Sequence, residues 1–442
     1  MIYKIDDIVN KGLCVGCGLC TSESTDSKMI WSPEGFLVPQ LDNSFDLHAI
    51  KLCPFNPTPD NEVKNEDALA DLFLTDTTKQ DSRIGKFENT YVGYSNEYRE
   101  TSSSGGIATF IFEKLLLDKI VDHLFIVKEI NGNYEYQWFN STHDIKMISK
   151  TRYIPVTMEN LFKEIDAKEG KVALSGVACF IKAIRLKQYY NPQYREKIAF
   201  LIGIICGGLK SKFFTDYLAQ KSGVTSNYSN QEYRIKDATS TASDYSFGAF
   251  DDNSNFYQIR MNQVGDMWGT GLFKSLACDF CDDVTTELAD ISLGDAWLNP
   301  YTNDGRGTSV IVTRSKVADE LICHGINNNE LSVKELTLES FKKSQEGSFK
   351  HRQKALRYRL DKFSELGLLK RKRFYQNIPI EFKVVQKLRM ALRKKSLDVW
   401  SKDPNFERFD NAIEDHKKDL QKFTLYYHIV QKLRGLLGLK KL

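Results

Sequence analysis

Residues 171–206, KVALSGVACFIKAIRLKQYYNPQYREKIAFLIGIIC, decide the fold. KVALSG is a short apolar run closed by Ser-Gly, which reads as a buried strand ending in a turn. VACFIKAIRLKQYY reads as a helix, and KIAFLIGIIC as a second buried strand. Strand, helix, strand in that order is the unit of a parallel sheet. The same grammar continues outward. Upstream, TYVGYS reads as a strand and TSSSGGIATFIFEKLLLDK as a turn opening into a helix, with Ile107, Phe110, Ile111 and Leu115 at helical spacing. HLFIVKEI and YEYQWF read as strands, and VTMENLFKEIDA as a helix. Downstream, KSKFFTDYLAQKSG reads as a helix. EYRIKD, YSFGAF and FYQIRM read as antiparallel additions, and ADISLGDAW and GTSVIVTRS as strands that close the sheet.

The chain has 442 residues, which predicts two or three domains. Hydrophobic residues make up 41% and charged residues 27%, the balance of a globular protein in water. No apolar run reaches the ~18 residues of a membrane span. The opening MIYKIDDIVNKGLC has no apolar core of signal-peptide length. A cytoplasmic location is therefore expected, and clustered cysteines there read as metal ligands or redox groups. The net charge of +3 is unevenly placed: residues 350–442 hold 25 Lys/Arg against 10 Asp/Glu, leaving the rest of the chain acidic. A basic tail on an acidic body points to a surface or partner of its own.

Cys14-Val-Gly-Cys17-Gly-Leu-Cys20 is C-x2-C-x2-C, and a fourth cysteine follows in Cys53-Pro54. Ferredoxin-type [4Fe–4S] clusters use this vocabulary of three close thiolates and a distant one before proline. Two-residue gaps let a turning backbone aim three sulfurs at three corners of a small cube. Gly16 and Gly18 permit positive φ and free backbone N–H groups to face the cluster. The compact ferredoxin run has a further cysteine where this chain has Ser24, so one cluster with a remote fourth ligand is the simplest reading. Structural zinc and plain reduced thiols are the alternatives. Zinc sites usually pair C-x2-C units rather than use a triple, which favours iron–sulfur.

Cys179 opens a helix, Cys206 ends a strand, and Cys278 and Cys281 form another C-x2-C. Ends of neighbouring parallel strands lie together and gather ligands. Four thiolates there suit a second cluster, while Cys179 and Cys206 read equally well as buried core cysteines. Cys323 sits on an expected helix and reads as core, and the lone His123 and His324 read as surface or core residues.

Thr101-Ser-Ser-Ser-Gly-Gly106 lies between a strand and a helix, where hydroxyls and free N–H groups can hold a phosphate. Ser175-Gly176 repeats that setting before Cys179. Ser104, Gly105, Gly106, Ser175 and Gly176 are thus candidate cofactor residues, although Ser caps and Gly turns are common without any ligand. Neither turn is a Walker A loop. Leu293-Gly294-Asp295-Ala296-Trp297 adds Gly294 and Asp295, at a strand end that either faces a cofactor ring or caps the sheet.

CVGCGLC…CP, SSSGGIAT, SGVACFIKAIR, LIGIICGG, ACDFC and DISLGDAW, in that order over roughly residues 10–345, resemble the coenzyme F420 hydrogenase/dehydrogenase beta-subunit family. The resemblance implies an iron–sulfur flavoprotein passing electrons between clusters, FAD and a deazaflavin or another partner. It implies Cys179, Cys206, Cys278 and Cys281 as ligands of a second [4Fe–4S] cluster. It also implies FAD near Ser104, Gly105, Gly106, Ser175 and Gly176. Bacterial relatives occur beside polysaccharide biosynthesis genes, often with pyruvyl transferases. This chain departs from the family at Ala178-Cys179-Phe180, usually Pro-Cys-Gln, and at Cys206-Gly207-Gly208, usually Cys-His-Gly.

The expected fold class is α/β. Residues 1–57 form a small ferredoxin-type iron–sulfur module and 58–88 a polar, acidic linker. A mixed-sheet α/β domain spans 89–345, and a basic helical extension spans 346–442. The expected function is an iron–sulfur, flavin-dependent oxidoreductase serving a redox partner protein or small electron carrier. The alternative is a non-catalytic electron-transfer or scaffold subunit docked on a transferase. No nucleic acid partner is expected, because basic residues are mixed with acidic ones. Val384, Val385, Leu388 and Leu392, then Ile429, Leu433 and Leu437, mark apolar helix faces in the tail. Such a basic helix suits a peripheral contact with the inner membrane surface through residues 350–442, or packing on the body.

Overall fold

The alternation of strands and helices resolves, in a computed structural model, into one eight-stranded mixed sheet. The structure describes residues 4–438, apart from residues 25, 42–46, 131–132, 144, 146–149, 369–372 and 374–376. Across the sheet the order is Leu331–Glu335, Asn89–Ser95, Ser309–Thr313, Ile291–Asp295, Ile198–Ile204, Val172–Val177, His123–Ile130, Asn133–Phe139. The strands from Ile291–Asp295 to His123–Ile130 are mutually parallel. The flanking pairs are antiparallel.

The parallel strands read as unbroken apolar runs because both their faces are covered. Val172, Leu174 and Leu201 pack with Phe180, Ile181 and Ile184 of helix Ala178–Tyr190. Their neighbours Ala173, Phe200 and Ile202 point the other way, into Ile107, Phe110 and Ile111 of helix Ile107–Leu117 and Ile322 of helix Lys316–Asn327. Each such side chain contributes roughly 1.5–3 kcal/mol through burial.

Four expectations change. Tyr228–Ile235, Ser246–Asp251 and Phe256–Arg260 do not extend the main sheet; they form a separate three-stranded antiparallel sheet. Their apolar face, with Tyr233, Phe247 and Ala249, is buried against Phe214, Tyr217 and Leu218 of helix Lys212–Ser222. Ile291–Asp295 and Ser309–Thr313 lie in the middle of the sheet rather than closing it. The segment VTMENLFKEIDA is helical only over Leu161–Glu164, followed by a 3-10 turn at Ile165–Ala167.

The segment 58–88 is folded rather than a free linker. It carries helix Glu66–Phe73 and a hairpin of Lys79–Asp81 with Gly85–Phe87. Its acidic composition hides three anchors. Leu69 and Ile84 are fully buried. Glu66 pairs with Lys182 at 2.9 Å, both buried. The guanidinium of Arg314, also buried, donates to the Ile84 carbonyl at 2.7 Å.

The N-terminal module is sewn to the body. The Met158 N–H donates to the Cys17 carbonyl at 3.0 Å, and the Lys212 N–H to the Gly35 carbonyl at 2.8 Å. The C-terminal extension is helical as expected, with Ile380–Lys402 and Phe406–Leu436 as its long members, but most of it is packed on the body. Phe409 stacks on Phe273 with ring centroids 4.9 Å apart, and Trp400 meets Phe409 edge-on at 5.4 Å. The Tyr217 hydroxyl donates to Asp410 at 2.8 Å. Val385 and Leu392 are buried as the helical spacing predicts, whereas Ile429, Leu433 and Leu437 are exposed. The extreme end, 439–442, lies outside the described residues.

Candidate redox centre at the ends of the parallel strands

Parallel pairing of Val177 with Ile204, and of Ile204 with Leu293, brings three strand ends side by side. Cys179 follows the first of these strands within the opening turn of helix Ala178–Tyr190. Cys206 follows the second, and its N–H donates to the Val284 carbonyl at 3.1 Å. Cys278 and Cys281 arrive on and just after the 3-10 turn Leu276–Phe280. The Ser275 N–H donates to the Leu209 carbonyl at 3.0 Å, which fixes that turn against the chain after Cys206. All four cysteines line one small cavity together with Val15, Phe55 and Arg352.

The first quartet is held by left-handed turns. Gly16 has φ +73° and Gly18 φ +79°. A Cβ on Gly18 would stand 2.1 Å from Thr157 Oγ1, so the turn closes against the body. Cys14, Cys17 and Cys53 all act electrostatically on Cys20. Charge also couples the two quartets, since Cys17 is among the groups acting electrostatically on Cys179.

Burial pushes the Cys14 thiol up to about 12 and the Cys17 thiol up to about 11. Burial, then the other three cysteines, drives Cys20 well above the ordinary thiol range. The same causes act on Cys179, through Cys281, Cys206 and Cys278. Thiols so placed stay protonated unless positive charge sits among them, as iron or another cation would. Backbone donors already point at sulfur: Gly16 N–H to Cys14 Sγ at 3.4 Å, Gly208 N–H to Cys206 Sγ at 3.3 Å, Leu209 N–H to Cys278 Sγ at 3.2 Å. Such donors stabilise thiolate ligands. Eight soft sulfur donors in two fours, each with N–H groups aimed at sulfur, fit iron–sulfur cages. Among the described residues no group of three His, Cys, Asp or Glu is arranged to hold a single metal ion. The first quartet is defined by mutual charge, the second by mutual charge and by the lining its members share.

Arg352, which sequence reasoning missed, completes the second quartet. It is buried in a π-helical turn, Lys350–Lys354. It donates to Cys281 Sγ at 2.8 Å, to the Cys206 carbonyl at 2.5 Å and to the Asp283 carbonyl at 2.8 Å. Burial alone would weaken its charge, but Cys281, Cys206 and Cys278 overcome that and raise its pKa.

A larger cavity of about 1030 Å³ touches both quartets, through Cys14 on one side and Cys206 and Cys278 on the other. Ser104, Gly106, Ser175, Gly176, Gly294 and Asp295, the candidate cofactor residues, line it. Gly105 is fixed by packing, because a Cβ there would stand 2.7 Å from the Gly93 carbonyl oxygen. Asp295 is paired with Arg234, so its charge is spent inside the protein. Among the described residues lining this cavity, Asp279 Oδ2 lacks a hydrogen-bond partner but is ion-paired with Arg393 at 3.1 Å, while Ser102 Oγ, Ser104 Oγ, Arg152 Nε and Arg234 Nε are buried without a hydrogen-bond partner. Buried polar groups are nearly always paired, so these fit a polar ligand beside the opening turn of helix Ile107–Leu117. Ser102 lies in the SSSGG turn the sequence points to, whereas Arg152, Arg234, Lys210 and Trp268 were not singled out from sequence; only their spatial convergence reveals them. Cys323 lies apart, 3.9 Å from the Tyr91 hydroxyl.

Family models of the coenzyme F420 hydrogenase/dehydrogenase beta subunit match this chain, the N-terminal part over residues 90–163 and the C-terminal part over 169–339. The chain belongs to this family. It is 21% identical over 365 residues to a coenzyme F420-dependent sulfite reductase of Methanocaldococcus jannaschii, covering 78% of this chain and 52% of that protein. The chain therefore spans about half the length of that relative. It is 24% identical over 254 residues to the coenzyme F420 hydrogenase subunit beta of Methanosarcina barkeri, covering 55% of this chain and 80% of that one. A chain of the F420-reducing [NiFe] hydrogenase complex from Methanosarcina barkeri superposes with a TM-score of 0.50 at 20% identity, over 66% of this chain and 99% of that one. That likeness concerns the fold.

Proposed function

We propose that this family member is an iron–sulfur flavoprotein that moves electrons between two [4Fe–4S] clusters and FAD, serving a redox partner protein or small electron carrier. The observation that carries this reading is the single cavity that both cysteine quartets touch. Cys14, Cys17, Cys20 and Cys53 would hold one cluster, and Cys179, Cys206, Cys278 and Cys281 the other. When bound, the clusters supply one-electron transfer and the flavin supplies both one-electron and hydride chemistry. The protein's share is positioning. The orphaned Ser102 and Ser104 hydroxyls, Arg152 and the first turn of helix Ile107–Leu117 would take the phosphates of FAD, with Ser175 and Gly176 beside them. Arg352 and the backbone donors stabilise thiolate charge next to that cavity.

Anaerobic reconstitution with iron, sulfide and FAD tests this. FAD should survive desalting, and replacing both Ser102 and Ser104 by Ala should weaken its binding by about thirtyfold, roughly 1 kcal/mol for each of the two lost hydrogen bonds. Clusters without retained flavin would move the protein to a non-catalytic electron-transfer or scaffold subunit. No helix among the described residues is long and apolar enough to cross a membrane. Leu425, Ile429, Leu433 and Leu436 nevertheless form an exposed stripe on the last helix, beside exposed Lys422 and Lys432. This supports a peripheral contact with an anionic membrane surface, narrowed from the whole tail to its last turns. Replacing Leu425, Ile429 and Leu433 by Ser should abolish flotation with anionic liposomes.

A further inference from the structure

The large cavity has a second charged end, to which residues beyond both family matches contribute. Helix Ile380–Lys402 brings Arg389 to its wall, and the segment 351–359 brings His351 and Arg359. Lys274 lines the cavity with them. Arg389 makes no hydrogen bond or ion pair among the described residues; Asp279 and Asp266 reach it only through space. Both carboxylates are already engaged. Asp279 pairs with Lys274 at 2.5 Å and Arg393 at 3.1 Å. Asp266 accepts the Trp268 and Gly269 N–H groups at 3.1 and 2.5 Å.

Lys274, Arg359, Arg389 and Arg393 thus share two acids, one of which, Asp266, is exposed. A surplus of like charge held in this way favours an arriving counter-charge. The field is strong enough to act on its neighbours. Burial, then Arg389, Arg359 and Lys274, holds His351 well below the usual imidazole range. Arg352 is not part of this count, because it is committed to the cysteines.

This end is separate from the SSSGG turn. The SSSGG turn opens helix Ile107–Leu117, whereas Arg389 stands on helix Ile380–Lys402 and Lys274 just before the 3-10 turn Leu276–Phe280.

We infer that the Arg389 end of the cavity binds an oxyanion, phosphate or carboxylate, carried by the small molecule that exchanges electrons with this protein. Arg389 is the direct ligand and Lys274 and Arg359 supply the surrounding charge. This rests on the cavity being the redox site proposed above.

Calorimetric titration of the anaerobically purified full chain with inorganic phosphate, and separately with succinate, tests the inference at constant ionic strength. At least one should bind. Arg389→Gln should weaken binding by about tenfold or more, the loss of a charge-assisted hydrogen bond. Arg389→Lys should stay within about threefold of wild type if charge dominates over the planar fork. Lys394→Gln, exposed on the same helix and paired with Asp398 at 2.5 Å, should leave the affinity unchanged. Binding of neither anion, equal binding by Arg389→Gln, or the same loss in Lys394→Gln would overturn the inference. Protection of wild type by phosphate in a thermal melt, absent in Arg389→Lys and Arg389→Gln alike, would show that the fork rather than the charge is the ligand and still supports the site. Iron and flavin assayed on the same samples separate the two ideas: anion binding without iron sinks the redox reading alone, and full cofactor content without anion binding sinks this one alone.

Discussion

Arg352 Nη2 lies 2.8 Å from Cys281 Sγ, so a residue from the basic tail donates directly to a cysteine of the second quartet. A cation and donor at a ligand sulfur favour the more negative, reduced cluster. Replacing Arg352 by Gln should lower the reduction potential of that cluster by about 60 mV, the one-electron equivalent of ~1.4 kcal/mol. Arg352→Lys should recover part of the shift. Redox titration followed by EPR reads it, and unchanged potentials in both variants would show that Arg352 only holds the turn.

The quartets should fail independently. Cys53→Ala should remove about four iron atoms per chain and leave the second set, while Cys206→Ala should do the reverse. Iron assay and EPR line shape on each variant decide. Loss of all iron in both would mean that the sulfurs form one interdependent centre.

The extension should prove integral rather than appended. Phe409, fully buried between Phe273, Tyr217 and Trp400, should lose about 3–5 kcal/mol of stability when replaced by Ala. A chain ending at residue 345 exposes the same aromatic cluster and should aggregate. A truncated chain that melts like the full one would contradict this packing.

Burial, then the charge of Lys274, pulls Lys210 down to about 7. An unfolded lysine titrates near ~10.4, so the folded chain binds fewer protons between those values. The resulting penalty is fully present below pH ~7 and is relieved as pH rises towards ~10.4. Lys210→Met removes the penalty but forfeits bonds to the Met267 and Leu272 carbonyls at 2.7 and 2.6 Å. Wild type should therefore gain melting temperature on Lys210→Met as pH rises from ~7 to ~9.5. A difference that stays flat across that range refutes the shift.

What the sequence disclosed was local. CVGCGLC is legible as a tight turn because its glycines, Gly16 and Gly18, take the positive φ that close cysteine spacing asks for. The strand and helix of residues 171–190 are legible because their apolar periodicity survives burial. What it hid depends on partners distant in the chain. Tyr228–Ile235 looks like any antiparallel strand until its pairing with Ser246–Asp251, away from the main sheet, is known. Glu66 looks like linker acid until Lys182, 116 residues away, stands opposite it. Arg352 looks like one of 25 basic tail residues, because nothing local signals the π-turn that aims it at Cys281. Asp295 was visible as a strand end, but its commitment to Arg234 was not.

Iron and acid-labile sulfide per chain, measured on full-length protein purified without oxygen, test the central claim most directly. Two cubane clusters predict about eight of each, with two magnetically distinct species on reduction. Stoichiometric zinc, or iron with no labile sulfide, would contradict it.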